Sequence, residues 1–505
     1  MASPRVSQAN PAPGALSGCK TFVGAVADMA VCLEFLNDIV AQLWPNINVA
    51  GSKMTMDIAN PMFKTMLPGP LASLHFTKVD LGPIPMTVSK VLATKTDTNG
   101  IKLDLNVDWK GSRKRGTTWQ AVRPLSAPDK RHTIGTLQVL DHNPSPQSSL
   151  LSMQIGAAQV AFINPPVLSL DFTGAANIAD FSVINGSVRK VILNIINSIL
   201  TLPNRILVNL DVNNDYFQTY LYPLGIIRVT VDKAYNFAEE SKGKASKFFS
   251  KLTRSAPDCY TEVTVGAEPE WKTKVKPNTT HPVWDETHDF VVTDYDQVIK
   301  LTVMDQDIGA DAEVGLAVLT VRKALMAGSN QDLSLVKRGA ESEGRLSVST
   351  QYFPFSPISD SFSIADHRAE GLICGLATVL IAGAFGIKGP RETLKPSVVV
   401  KWGPKHHFQT GIQADAAGVD ISNPAFNQNF RIPVTAEMVG GGGGGEVAGF
   451  RIALMNGVKE VGGVDVPFAE VVGAPMMTLA SRFEVGEGTT VRACICLRGI
   501  GAASA

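Results

Sequence analysis

Apolar and polar side chains alternate without a break from Ile101 to Trp109. Ile101, Leu103, Leu105, Val107 and Trp109 fall on one face, and Lys102, Asp104, Asn106 and Asp108 on the other. That period of two is the mark of a half-buried strand, and Asn99-Gly100 supplies a turn ahead of it. A strand pair is read through AFINPPVLSLDF, from Val160 to Phe172. Helical spacing brackets these strands. Leu36, Ile39, Val40 and Leu43 predict a helix over Cys32–Trp44, which Pro45 is expected to stop. A second amphipathic stretch runs from Met54 to Met66. Val188, Val191, Ile192, Ile195, Ile196, Ile199 and Leu200 predict another helix, ended by Pro203.

From Leu224 the pattern changes to short alternating strands between polar loops, such as Ile227, Val229, Val231 and then Ile299, Leu301, Val303. This predicts an all-β sandwich. A joint rich in Pro and Ser, FPFSPISDSFS, separates it from a second unit of the same kind that ends in VRACICLRG. The most apolar stretch, Gly371 to Ile387, falls short of the roughly 20 residues of a spanning helix and is read as containing a strand. The basic segment Gly111 to Gly135 lacks a readable pattern and is read either as an atypical surface insertion or as a strand pair whose alternation is not legible.

Composition narrows the function classes. A chain of 505 residues fits two to four domains. Its 46 basic and 46 acidic side chains balance, which excludes the basic footprint of a wholesale nucleic-acid binder. Cys494 and Cys496 share a strand face and read as a buried reduced pair. No zinc spacing occurs, and a reducing cytosolic setting fits. Gly440 to Gly445 reads as a flexible loop, His406-His407 lacks ligand-spaced partners, and no nucleophile motif occurs. The expectation is a protein that is not an enzyme.

The blocks EFLNDIVAQLWP, HFTKVDLGPIPMTVSKV and LTLPNRILVNL, in this order, resemble the SMP domain of extended synaptotagmins, tricalbins and plant synaptotagmins. THPVWDETHDF resembles the C2-domain signature, with His281 in place of an asparagine, and SVVVKWG, ISNPAFNQNFRI and FRIALMNGV repeat the C2 order more faintly. The resemblance implies an elongated α+β SMP half-barrel with a lipid groove, followed by two all-β C2 sandwiches. The expected division is a tail over 1–27, the SMP domain over 28–223 with 111–135 as the insertion, a first C2 domain over 224–355 and a linker over 356–371. A second, degenerate C2 domain over 372–500 and a tail over 501–505 complete it.

The function so implied is lipid binding and transfer at contact sites between the endoplasmic reticulum and the plasma membrane, on the cytosolic face. The chain is expected to be peripheral, because no transmembrane segment is read in it. The alternative is a tether or scaffold that binds membranes without transporting lipid. The implied partners are a glycerophospholipid ligand, an anionic phospholipid membrane and a second copy of the chain, paired through the SMP domain. Leu36, Ile39, Leu43, Val191, Ile195 and Ile199 are the candidate groove residues.

The resemblance also assigns a weak or partial Ca2+ site in the first C2 domain to Asp258, Asp305, Asp307 and Asp311. It is partial because Ala312 holds a usual ligand position, and the first loop-one aspartate is replaced near Glu239 and Glu240. In the second copy Lys395, Asn456 and Val458 stand where Asp258, Asp305 and Asp307 stand, so that copy is expected to ignore calcium. Lys244, Lys247, Phe248, Phe249 and Lys251 in one basic loop, with Lys272, Lys274 and Lys276 on a strand face, are the candidate membrane contacts.

Overall fold

The computed structural model describes residues 26–66, 81–95, 101–108, 118–120, 135–141, 155–166, 169–171, 181–209, 215–236, 256–307, 311–337, 339–358, 371–403, 405–415, 419–439 and 449–501. The chain divides into two compact units, Met1–Asn214 and Asp215–Ala505.

The first unit is helical and antiparallel-β. Helix α1 spans Val26–Met66 as one element. This corrects the expected stop at Pro45. A proline inside a helix costs about 3 kcal/mol, and tertiary bonds on both sides of Pro45 offset it. Asn37 exchanges two hydrogen bonds with the backbone of Val88, Trp44 Nε1 donates to Gly82 O at 2.7 Å, and Asn48 Oδ1 accepts from the Leu81 amide at 2.7 Å. Strand β2 (Ile101–Asp108), read from the alternation, pairs antiparallel with β1 (Thr87–Lys95), with Lys95 opposite Ile101. Strand β3 (Thr118–Gln120), inside the segment expected to be an insertion, pairs with β6 (Ser169–Asp171). Strands β4 (Gly135–Asp141), β5 (Ile155–Ala161) and β7 (Ile206–Asn209) complete a five-stranded sheet in the order β1-β2-β4-β5-β7. Helix α2 (Phe181–Leu200) begins earlier than its apolar spacing predicted and ends before Pro203.

The second unit holds two eight-stranded sandwiches among the described residues. The first consists of β8 (Gly225–Tyr235), β9 (Cys259–Val265), β10 (Trp271–Lys272), β11 (Val283–Val292), β12 (Val298–Asp305), β13 (Ala312–Thr320), β14 (Asn330–Lys337) and β15 (Ala340–Ser356). The second consists of β16 (Ile373–Phe385), β17 (Pro396–Trp402), β18 (His406–Gln409), β19 (Ala425–Thr435), β20 (Phe450–Asn456), β21 (Lys459–Val466), β22 (Thr478–Gly486) and β23 (Thr489–Ile500). The pairings largely repeat, except that β13 pairs with β14 through Leu316 and Val336 while β21 does not pair with β22. β8 lies between β11 and β15 as β16 lies between β19 and β23, and β12 lies between β9 and β13 as β20 lies between β17 and β21. The apolar stretch around Gly371 is thus the central strand of a sheet, buried on both faces from Cys374 to Ala384.

Inward residues follow the alternation read from the sequence. Ile227, Val229 and Val231 pack with Ile299, Leu301, Val303, Leu346 and Val348 in one core. Val398, Val400, Ile452, Leu454, Ile495 and Leu497 pack in the other. The two sandwiches share one continuous sheet, because Phe355 and Ser356 at the end of β15 pair with Ile500 and Gly499 of β23. A third cluster of Ile226, Val291, Phe353, Ile373, Leu376 and Ile500 seals this joint.

Candidate functional site

The expected calcium site lies where β9 begins and β12 ends. The Asp258 amide donates to Asp305 Oδ1 at 2.7 Å, and the Gln306 amide returns a bond to Asp258 O at 2.9 Å. Asp258 Oδ1 accepts from the Asn278 amide at 2.7 Å. Asp311 Oδ2 accepts from the Tyr260 hydroxyl at 2.6 Å, and its Oδ1 from the Asp307 amide at 3.2 Å. The Tyr260 hydrogen bond, with the Asp307 amide, holds the Asp311 carboxyl below the usual carboxylate range. The fold therefore brings the four aspartates to one end of the sandwich. There, Asp258, Asp305 and Asp311 each already accept a hydrogen bond. Calcium takes six to eight oxygens, and among the described residues no group of three or more His, Cys, Asp or Glu side chains is placed to hold a metal ion. As arranged, these residues do not make a complete cage. Glu239 and Glu240 lie outside the described residues.

The second copy keeps the hydrogen bonds and drops the charges. The Lys395 amide donates to Asn456 Oδ1 at 2.7 Å, and the Gly457 amide to Lys395 O at 2.8 Å. These repeat the Asp258–Asp305 bonds with an amide in place of a carboxylate. The next pair repeats as well. Thr273 Oγ1 accepts from the Thr261 amide and Thr410 Oγ1 from the Val398 amide, both at 2.9 Å.

Of the membrane candidates, Lys244, Lys247, Phe248, Phe249 and Lys251 lie outside the described residues. Lys272 sits on β10 with Nζ 2.6 Å from Glu262 and 3.4 Å from Glu270, and over the Tyr260 ring. Its hydrogen bond to Glu262 raises its pKa, so it stays charged, with that charge partly spent within the sandwich. Lys274 is exposed, Lys276 is half-buried and bridges Cys259, and Thr273 between them is buried. Extended backbone thus sets the three lysines on one side.

The groove candidates separate into two environments. Val191 and Ile195 on α2 are buried, while Ile39 and Leu43 on α1 are exposed. Leu36 and Ile199 are half-buried. Phe35, Ile39 and Leu43 recur every fourth residue, so α1 carries an exposed apolar row.

Tyr260 and Asn278, which fix the aspartates, escaped the sequence reading. Tyr260 is next to Cys259 in a strand, and nothing in its spacing marks it as the partner of Asp311. The segment from Asp215 to Pro223 was also missed. It lies in the same unit as the sandwiches and crosses the outer face of β23. Asp215 pairs with Arg492 at 2.9 Å, Arg492 stacks over Phe217, Tyr220 donates to Asn429 Oδ1 at 3.2 Å, and Arg498 lies over Tyr222.

A helix-and-sheet unit is followed in the chain by two eight-stranded sandwiches of similar topology, and comparison with known proteins finds likenesses to both parts. Residues 30–211 match the synaptotagmin-like mitochondrial-lipid-binding domain, and residues 225–335 match the C2 domain. The chain is similar to extended synaptotagmins and to a plant synaptotagmin. It is 23% identical over 490 residues to extended synaptotagmin-2 of Mus musculus, covering 92% of this chain and 54% of that protein. It is 24% identical over 357 residues to a calcium-dependent lipid-binding protein of Arabidopsis thaliana, covering 66% of each. The solved SMP, C2A and C2B domains of extended synaptotagmin-2 superpose with a TM-score of 0.57 at 20% identity, over 93% of this chain and 99% of that one. That last likeness is one of fold. The chain spans about half the length of the extended synaptotagmin-2 proteins it matches. No described helix is long and apolar enough to cross a membrane.

Proposed function

We propose that this chain binds glycerolipid in its SMP unit and transfers it between apposed membranes, while the paired sandwiches dock on an anionic leaflet. The place of action is a contact between the endoplasmic reticulum and the plasma membrane, and the work is binding and carriage, without catalysis. The observation that carries the reading is the match to a lipid-binding domain over residues 30–211, whose helix α1 leaves Phe35, Ile39 and Leu43 in solvent on one side. Acyl chains would cover such a row with a gain of about 0.8 kcal/mol per buried methylene. A second copy of the SMP unit, paired with the first, completes the reading.

Calcium regulation through Asp258, Asp305, Asp307 and Asp311 is weak or partial in this proposal. Its support is the hydrogen bonding that already engages three of those carboxylates. The test is mass spectrometry of lipid released from the purified full chain. Glycerolipid should be recovered in near-stoichiometric amount. A lipid-free preparation that still binds vesicles would make the chain a tether.

A further inference from the structure

We propose that Asp215–Pro223 is a releasable strap that sets the reach of the chain, short while docked on the second sandwich and longer once peeled from it. The inference rests on the reading that the chain bridges apposed membranes, and names a length-setting device within it.

Asp215 is where the chain leaving the first unit enters the second. Before β8 opens the first sandwich, the chain crosses the outer face of the second. There β16 lies between β23 and β19, with Leu380 opposite Cys494 on one side and Asn429 on the other, and Thr378 opposite Cys496. Ala377, Val379 and Ile381 fill the core, so Thr378 and Leu380 point away from it. Even so, Thr378, Leu380, Cys494 and Cys496 are at most 2% exposed. The strap is what lies over them. Its short helix, Tyr216–Thr219, packs on β16, and Tyr216, Thr219 and Tyr220 are themselves buried.

The attachments grow firmer along the strap. At its start the Asp215–Arg492 pair is partly solvated on both sides, so water screens it, and Arg492 lies over the Phe217 ring. In the middle the Tyr220 hydroxyl donates to Asn429 Oδ1 at 3.2 Å. At its end Tyr222 lies under Arg498, whose Nη1 donates to the carbonyls of Met476 and Leu497, both at 2.7 Å. Among the described residues the strap pairs with no strand. From Leu224 onward the chain is laddered, since the Leu224 amide donates to Val292 O at 2.7 Å and β8 is paired on both edges. Tension along the chain therefore meets the weakest side-chain contact first and breaks the rest in turn. At β8 it meets many backbone bonds that share the load. The nine residues of the strap span up to about 30 Å when extended. Release wets Leu380, and reburial of that apolar face draws the strap back.

The test pulls the full chain in an optical trap between handles at Asn209 and at His407, an exposed residue of β18. Wild type should lengthen reversibly by up to about 30 Å at a force below that which unfolds a sandwich. Phe217→Ala with Arg492→Glu should abolish the step and start from the longer state. Tyr220→Phe, which keeps the ring and loses the bond to Asn429, should lower the force and serves if the double variant fails to fold. Electron cryotomography of vesicles bridged by the full chain should show a wider gap with the double variant, or with Tyr220→Phe in its place. The strap is overturned if wild type shows no step before a sandwich unfolds, if neither variant changes that step, or if the gap stays the same. A wild type that peels as stated but bridges no vesicles supports the strap and overturns the bridging reading.

Discussion

Asp305 and Asn456 occupy matching places in the two sandwiches and accept the same kind of backbone hydrogen bond, from Asp258 and from Lys395, each at 2.7 Å. The carboxylate is therefore not needed for that bond. Any extra value of Asp305 lies in its charge, which a hard cation would use. Asp305→Asn keeps the acceptor and removes the charge, so D305N combined with D307N should leave the melting temperature within about a degree, since exposed or hydrogen-bond-conserving changes cost little. The same variant should abolish calcium-stimulated vesicle binding. Stimulation that survives it would remove these residues from the calcium response. The D-x-D spacing was legible in the sequence. The roles of Tyr260 and Asn278 were not, since a hydrogen bond between side chains 51 residues apart leaves no local pattern.

At the scale of elements, the alternation along β23 separates two kinds of burial. Ala493, Ile495 and Leu497 belong to the sandwich core, whereas Cys494 and Cys496 point to the opposite face and are buried all the same. The segment from Asp215 to Pro223 is what lies on that face. Tyr222 lies beside the Cys494 thiol, and burial pushes that thiol up to about 11. The thiolate is the reactive form, so in the native chain both cysteines should react slowly with a thiol reagent at neutral pH. Phe217→Ala with Arg492→Glu removes the stacking and turns the Asp215 ion pair into a repulsion. Cys494 and Cys496 should then become reactive, at least tenfold faster, while Cys374 stays protected in the core. Unchanged reactivity would show that the segment does not cover them. Helix α1 teaches a related lesson. Pro45 predicts a stop, but the bonds of Asn37, Trp44 and Asn48 to residues of the 81–88 segment hold the helix through it.

For the sandwich pair as a whole, one buried ion pair stands at the joint. Arg228 binds Asp289 with both carboxylate oxygens, at 2.8 and 3.0 Å, and the Asp289 side chain is 1% exposed. Asp289 Oδ2 also accepts from the Ile373 amide of the second sandwich at 2.9 Å. Arg431 of the second sandwich reaches Glu268 of the first at 2.7 Å. Removing one partner of a buried pair leaves the other charge uncompensated, at a cost of about 3–5 kcal/mol. Asp289→Ala should therefore lower the melting temperature by several degrees and split one calorimetric transition into two as the sandwiches uncouple. A single transition at the wild-type temperature would show that the sheet pairing of β15 with β23 holds the joint unaided.

By itself the sequence determined the elements and their inward faces, because periods of 2 and 3.6 are local and each inward apolar position records the core it meets. It also determined the order of units, and the loss of acidic character where Lys395 and Val458 replace aspartates. Tertiary structure alone decided what those elements do to one another. It decided that β15 continues into β23, that the Asp215–Pro223 segment covers two cysteines outside the core, and that three of the four aspartates spend carboxylate oxygens on local donors. The physical reason is that hydrogen bonds and ion pairs between residues distant in the chain depend on where folding sets each partner, and no spacing rule carries that information.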